Sequence, residues 1–217
     1  MTPRTIAALF VFSFSALAAA PQAAPDFRPA TVGVMLSFER KPSPDWARRL
    51  RREVEEIFGP SKLDLRWEVL NDHTQPGSYS RAVVVEVRGR CGFTRVAEVE
   101  PAWNGTVQLG WTLVNDGEVI PHAAIDCDRI AAVVAGARKL ALNRQLLPGM
   151  YQTLSARVLA HELMHALLRT ADHQQSGCLR TPLRLADLQA PVRLSSTEVA
   201  ALREVGRPSG VVMAGAK

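Results

Sequence analysis

Two histidines stand four residues apart in a part of the chain that is apolar almost all the way round. They are His161 and His165 of the run His-Glu-Leu-Met-His, and residues 154–168 around them carry Arg157 and Glu162 as further charged side chains. Such a long apolar segment predicts a helix that crosses a hydrophobic core. Positions i and i+4 of a helix share one face, with Cβ atoms about 5–6 Å apart. The fold must therefore hold two converging imidazole rings inside its core and supply a partner for them.

This spacing suits a metal ion. Imidazole nitrogens from successive helical turns can bind one zinc ion at about 2.0–2.1 Å each. Glu162 directly follows the first histidine, so its carboxylate lies off the line between the rings and can reach a water molecule at the metal. Zinc lowers the pKa of such a water from about 15.7 toward 7, and Glu162 can act as its general base. The motif predicts metal-dependent hydrolysis with Glu162 as the catalytic residue, without a serine, cysteine or threonine nucleophile.

A catalytic zinc site has three protein ligands and keeps a fourth position open for water, so a third ligand is required. His173 lies eight residues after His165, where the apolar pattern has stopped and the chain can turn back under the metal. We predict His173 as this ligand. Glu198, on a later segment, is the alternative. However, Ser195 and Glu198 stand three residues apart before an apolar run, which also fits a capping box, and we favour the cap.

These residues resemble the metzincin branch of the zincin metallopeptidases, in which His-Glu-x-x-His-x-x-Gly-x-x-His supplies the ligands and a later Met-containing turn supports them. They resemble more closely short secreted bacterial zincin-like proteins, in which the third histidine comes eight residues on and a Gly-Ile-Met follows. The resemblance covers roughly the last third of the chain. It departs from the pattern at Leu168, where metzincins have glycine, and at Cys178-Leu179, where the related turn has Ile-Met.

The resemblance implies a secreted zinc metalloendopeptidase that cuts protein or peptide substrates, with Zn²⁺ held by His161, His165 and His173. It also implies a zincin-like fold in which an edge strand beside the cleft binds an extended peptide. The alternative is a non-catalytic extracytoplasmic zinc-binding module, which the irregular spacing of the third ligand favours. No tyrosine or histidine follows His173 to stabilise an oxyanion, and the cationic side chains close downstream are Arg180 and Arg184.

Hydrophobic patterning predicts three strands before the motif helix, at residues 31–38, 63–69 and 82–87. Further along, Asn104-Gly105 and Asp116-Gly117 predict tight reversals of the chain. We expect the edge strand of the sheet in the region of residues 107–114.

Two further helices are predicted. Ser43 as N-cap and Pro44 as the first helical residue begin an amphipathic helix that ends at the Gly-Pro pair at 59–60. Asp128 is predicted to cap another helix, which stops at the Leu-Pro-Gly run at 147–149. This order of elements predicts an α+β fold in which a twisted mixed sheet packs on the active-site helix and a second long helix.

The N-terminus reads as a secretory signal. Residues 1–18 combine Arg4, an apolar run and the small residues Ala16 and Ala18 at a cleavage site, and the run is shorter than the ~20 residues of a membrane span. We expect a secreted or periplasmic protein with no stable membrane insertion after cleavage.

An oxidising compartment predicts one disulfide among the three cysteines. Cys91 with Cys127 is the preferred pair, which leaves Cys178 free.

Length and charge limit the remaining possibilities. The chain has 217 residues and a formal net charge of +5, and we predict one domain over residues 31–217 after a loosely held lead-in at 19–30. The basic residues are scattered and mostly arginine. Their one dense cluster, at 48–52, alternates with glutamates as on a solvated helix face. We therefore predict no nucleic-acid partner and expect a monomer.

Overall fold

The computed structural model describes residues 31–70, 77, 79–92, 107–137, 144–181 and 191–206. Among these residues the strands are β1 (Thr31–Phe38), β2 (Asp64–Val69), β3 (Arg81–Arg88), β4 (Gly110–Asn115) and β5 (Glu118–Asp126). The α-helices are α1 (Pro44–Phe58), α2 (Cys127–Ala137), α3 (Leu147–Leu168) and α4 (Ser196–Val205). The predicted signal, the lead-in and the Asn104-Gly105 turn lie outside the described residues.

The strands form one mixed sheet in the order β2-β1-β3-β5-β4. β1 pairs in parallel with β2 and β3, β3 pairs in parallel with β5, and β4 runs antiparallel to β5 at one edge. The three early strands lie within one residue of their predicted bounds. The α+β class with a mixed sheet is therefore confirmed, and the region predicted to form the edge, residues 107–114, overlaps β4.

The turn between β4 and β5 is the predicted Asp116-Gly117 pair. Both residues have positive φ, 49° and 81°, as in the type I′ turns that suit the twist of a hairpin. This hairpin places β4 beside α3, so the edge of the sheet lies next to the helix that carries the motif.

The sheet and all four α-helices contribute buried side chains to one core. α1 packs its apolar face there, and Ser43 caps it by accepting a hydrogen bond at Oγ from the N–H of Trp46 at 3.3 Å. The predicted start and end of α1 are confirmed. The buried side chains of β1, β3 and α1 are Val32, Val34, Leu36, Val83, Val85, Val87, Trp46, Leu50, Val54 and Phe58.

α3 is buried along most of its length, as its apolar sequence predicts. Its start corrects one prediction, because the run at 147–149 forms the first turn of α3 instead of ending a preceding helix. Pro148 is tolerated there because the N–H groups of a first turn have no partner within the helix. Proline is common both before and after helices, so the Leu-Pro-Gly run is compatible with the end of one helix or the start of the next.

Among the described residues, no helix is both long enough and apolar enough to cross a bilayer.

The start of α2 corrects a second prediction. The helix begins at Cys127, so Asp128 lies within its first turn and is not the N-cap. Asp126 takes that role, because its Oδ1 accepts a hydrogen bond from the N–H of Arg129 at 2.9 Å. Asp128 instead accepts from the N–H of Arg90 at 3.1 Å. The two acidic residues stand only two positions apart, so the sequence pattern does not distinguish which of them is the cap.

The predicted disulfide between Cys91 and Cys127 is present, and Cys178 is a buried free thiol. The bridge joins the chain just after β3 to the first residue of α2, across a sequence separation of 36 residues. It therefore fixes the beginning of a helix that lines the same cavity as the motif residues.

Replacing Cys91 and Cys127 together by alanine should lower the free energy of unfolding by about 4 kcal/mol, which is the loop-closure entropy expected for a loop of this length. Urea denaturation of the parent and the double variant measures the difference. The parent in the presence of a reductant should unfold near the midpoint of the variant. An unchanged midpoint in the double variant would contradict the prediction.

Candidate metal centre

Three histidine rings meet beside the C-terminal half of α3. His161 and His165 lie on successive turns, and their Nε2 atoms are 3.0 Å apart. The ring centroid of His173, on the segment after the helix, is 5.3 Å from that of His161 and 4.9 Å from that of His165. One ligand atom from each ring lies within 4.8 Å of the other two. The structure thus brings together the three histidines that the sequence suggested as ligands.

Backbone carbonyls orient both helix histidines. Nδ1 of His161 donates to the carbonyl oxygen of Cys178 at 2.8 Å, and Nδ1 of His165 donates to that of Thr170 at 2.7 Å. Because a carbonyl can only accept, the proton of each neutral ring is on Nδ1. The two Nε2 lone pairs then face each other across 3.0 Å. Such an arrangement is repulsive unless a cation lies between the rings, so this donor set fits a metal ion.

The protonation of the two rings also fits a metal ion. Burial lowers the pKa of His161 to about 4 and lowers the pKa of His165 as well. Both rings are therefore neutral near pH 7, which leaves the lone pair that a metal needs. Two zinc–nitrogen bonds of about 2.0–2.1 Å at a tetrahedral angle separate their nitrogens by roughly 3.3 Å. The observed separation of 3.0 Å is close to that value.

The chain leaves α3 along a hydrogen-bonded path that leads to His173. The N–H of Thr170 donates to the carbonyl of His165 at 3.2 Å, directly after the helix. On the other side of His173, the N–H of Gln174 donates to the carbonyl of Leu179 at 3.1 Å. The side chain of His173 is exposed, but its backbone is held on both sides. This explains how a third histidine, five residues past the end of the helix, can reach the other two.

Glu162 lines the same cavity as the three rings without belonging to their cluster. Its Oε2 accepts a hydrogen bond from the hydroxyl of Thr112 on β4 at 2.8 Å. Burial raises the pKa of Glu162 to about 7, while the bond from Thr112 acts to lower it. A carboxyl group in this range can exchange a proton with water near neutral pH. The role of Glu162 as a general base stays a prediction.

Gly110 allows β4 to approach α3 closely enough for that contact. A Cβ atom at this position would lie 2.7 Å from Cγ1 of Val158 and 2.9 Å from Cγ of Glu162. Both distances are shorter than carbon atoms tolerate. The missing side chain therefore sets the spacing between the edge strand and the part of α3 that carries Glu162.

An open cavity of about 570 Å³ lies over the cluster. Its volume falls in the range of ligand-binding clefts, about 300–1,000 Å³. The polar part of its wall consists of the three histidines, Glu162, Gln108, Thr112, Thr170 and Thr181. The rest of the wall is largely apolar and includes Val107, Leu109, Val114, Val119, Val133 and Val158. The cluster is thus accessible from this cavity.

Glu198 forms the favoured capping box with Ser195 at the start of α4. Its carboxylate is fully buried and accepts hydrogen bonds from the backbone N–H groups of Ser195 at 2.7 Å, Leu179 at 2.8 Å and Cys178 at 3.1 Å. Both oxygens are occupied by the backbone, and Glu198 is not part of the histidine cluster. The structure therefore gives no support to Glu198 as the third ligand.

The cavity offers no clear cationic oxyanion stabiliser. Arg180 does not line it, and Arg184 lies outside the described residues. Among the described residues that line the cavity there is no arginine or lysine.

Thr112 and Gly110 are site residues that the sequence did not reveal. Both lie within the region predicted for the edge strand, but Thr112 is 50 residues from Glu162 in the chain. A threonine or a glycine in a strand carries no local pattern that indicates a contact with a distant helix. Such a contact depends on how the hairpin packs against α3.

Solved structures similar to the chain include two with low sequence identity. One is archaemetzincin from Methanopyrus kandleri, with a TM-score of 0.48 and 12% identity, covering 81% of this chain and 95% of that one. The other is a zinc-dependent peptidase from Methanocorpusculum labreanum strain Z, with a TM-score of 0.47 and 11% identity, covering 78% of this chain and 100% of that one. No protein-family model and no curated protein matches the sequence.

Proposed function

We propose that the protein is a zinc-dependent metallopeptidase that hydrolyses peptide bonds. His161, His165 and His173 would hold Zn²⁺, and Glu162 would activate water. The observation that carries the proposal is the position of Glu162. Glu162 lines the same open cavity as the three histidines, and its carboxylate is held by Thr112. A site that served only to stabilise the fold would have no need of such a group.

The residues of the chain account for the steps of the reaction. Bound zinc would polarise the substrate carbonyl and promote ionisation of water. Glu162 accepts a proton from the water as its oxygen bonds to the carbonyl carbon. Glu162 then passes that proton to the departing nitrogen as the carbon–nitrogen bond breaks, giving a carboxyl product and an amine. Thr112 keeps the carboxylate aimed at the cavity through its hydrogen bond.

The edge strand supports a protein or peptide as substrate. In the described sheet, β4 has a paired neighbour, β5, on one side and is at the edge on the other. An extended peptide that added to this edge would gain backbone hydrogen bonds. It would also run alongside Thr112, whose hydroxyl contacts the general base. A cut within an extended segment, as an endopeptidase makes, follows from this binding mode.

We also propose that the protein acts outside the cytoplasm, either secreted or in the periplasm. The disulfide between Cys91 and Cys127 supports this location, because such bonds persist mainly in oxidising compartments. The predicted signal at residues 1–18 is in agreement.

Metal analysis combined with a cleavage assay tests the proposed function. We expect one zinc ion per chain and cleavage of unfolded casein that stops when zinc is removed by a chelator and resumes when zinc is added back. Cleavage that survives complete removal of metal would overturn the proposal. One zinc ion per chain with no cleavage of any unfolded protein would instead support the non-catalytic zinc-binding module. That alternative fits less well with an open cavity, because structural zinc sites are closed by four protein ligands.

A further inference from the structure

The residues 177–179 form a turn between the metal centre and the start of α4, named here the ligand turn. Its central carbonyl, that of Cys178, accepts the hydrogen bond from Nδ1 of His161 at 2.8 Å. Its last carbonyl, that of Leu179, accepts from the N–H of the residue that follows His173 at 3.1 Å. The ligand turn therefore contacts one histidine directly and holds the backbone beside another.

Glu198 holds the ligand turn from its other side. Oε2 of Glu198 accepts from the N–H of Cys178 at 3.1 Å, and Oε1 accepts from the N–H of Leu179 at 2.8 Å. Gly177 completes the contact, because it has φ of 84° and any Cβ there would collide with the carboxylate of Glu198. The turn and the carboxylate are fitted to each other with no space for a side chain between them.

One peptide group links Glu198 to His161. The peptide bond between Cys178 and Leu179 directs its C=O at Nδ1 of His161 and its N–H at Oε1 of Glu198. A carboxylate that accepts from a peptide N–H polarises the group and makes its carbonyl a stronger acceptor. The arrangement resembles the carboxylate–histidine pairs that orient metal ligands, with a peptide group inserted between the two side chains.

These contacts exceed what a helix cap requires. In a capping box the glutamate needs one bond, to the N–H of the N-cap residue, here Ser195. Glu198 makes two more and is 0% exposed. Burial of a carboxylate is costly unless several hydrogen bonds compensate for it. Both extra bonds go to the ligand turn. The contact with this turn, and not the helix cap alone, therefore accounts for an acidic residue at position 198.

We propose that Glu198 is a positioning residue for the metal centre, which fixes and polarises the ligand turn that orients His161 and holds the backbone beside His173. This inference rests on the proposed binding of zinc by the three histidines, but it does not depend on hydrolysis. It predicts that a change at Glu198 alters the geometry and affinity of the metal site, although no atom of Glu198 touches the metal.

The test compares Glu198→Gln with Ser195→Ala in the full chain. Glutamine keeps the shape of the side chain but turns one oxygen into an NH₂ group, which cannot accept from the backbone. Ser195→Ala removes the other half of the cap and leaves every bond to the ligand turn in place. Zinc affinity is measured by competition with a chromophoric chelator. The visible absorption spectrum of the Co²⁺-loaded protein reports ligand geometry.

We expect Glu198→Gln to weaken zinc binding about 10–100-fold, the range for partners of metal ligands, and to change the Co²⁺ spectrum. Ser195→Ala should resemble the parent in both measurements. If Glu198→Gln is folded and binds zinc with parental affinity and spectrum, the inference fails. It also fails if Ser195→Ala loses as much affinity, since the effect would then belong to the cap.

Gly177→Ala provides a second variant in case Glu198→Gln does not fold. It displaces the ligand turn from the carboxylate while keeping the acid, so it should weaken zinc binding and shift the Co²⁺ spectrum in the same way. Parental behaviour of this variant would contradict the inference. Failure of the proposed function gives a different result, because the parent itself would then bind no zinc or would bind zinc without cleaving protein.

Discussion

Glu162→Gln should reduce peptide hydrolysis by about 10²–10⁴-fold, the usual contribution of a general acid or base, while zinc content stays at one ion per chain. Glutamine has nearly the same shape and can still accept the hydroxyl of Thr112, but it cannot take a proton from water. The measurement pairs kcat/KM on a protein substrate with metal analysis of the same preparation. Activity within a few-fold of the parent would remove Glu162 from the mechanism.

The stability of metal-free Glu162→Gln, measured against pH, tests whether the variant keeps the fold of the parent. Burial raises the pKa of Glu162 from 4.5 to about 7, so the folded state prefers the protonated acid. Its ionised form therefore destabilises the metal-free fold, with no effect below about pH 4.5 and the full effect above about pH 7. At about 1.4 kcal/mol per pKa unit, this amounts to roughly 3 kcal/mol. Metal-free Glu162→Gln should thus be as stable as the parent near pH 4 and more stable at pH 8.

His173→Ala should weaken zinc binding by more than about 100-fold. Loss of a residue that merely orients a ligand costs about 10–100-fold, and removal of a ligand is expected to cost more. Zinc X-ray absorption should show one imidazole fewer in the variant than in the parent. The exposed neighbour Asp172 supplies a matched control, because Asp172→Ala changes the same loop without removing a ligand.

A comparison of His173→Ala with Glu198→Gln distinguishes a metal ligand from a positioning residue. Glu198→Gln should retain all three imidazoles in the X-ray absorption spectrum, whereas His173→Ala should not. An unchanged imidazole count in His173→Ala, or a larger loss of affinity in Glu198→Gln than in His173→Ala, would contradict the assignment of His173.

Features with a local cause could be predicted from the sequence. Ser43 followed by Pro44 specifies a helix start through the geometry of three or four residues, and the structure has α1 there. The alternation in residues 31–38 defines a strand because one face of it is buried. The capping box of Ser195 and Glu198 is likewise a local motif. The spacing of His161 and His165 fixes their shared face once the segment is helical.

Features that depend on packing could not be predicted. Pro148 fits either end of a helix, and the choice is made by which segment the core buries. The contact of Thr112 with Glu162 requires the hairpin and α3 to meet. The cap predicted at Glu198 was correct but incomplete, because its bonds to Cys178 and Leu179 join segments about twenty residues apart. No hydrophobic periodicity or short sequence motif indicates contacts between segments so far apart in the chain.

The placement of two histidines on a rigid helix and the third on the loop behind it has a consequence beyond chemistry. An ion held by all three would act as a cross-link that fastens the loop to the helix, and free energy of binding would add to that of folding. The concentration of the ion in the surroundings would then set how much of the protein survives proteolysis, as well as the activity of each molecule. When the ion is scarce, the metal-free protein would be degraded and would not accumulate in an inactive form.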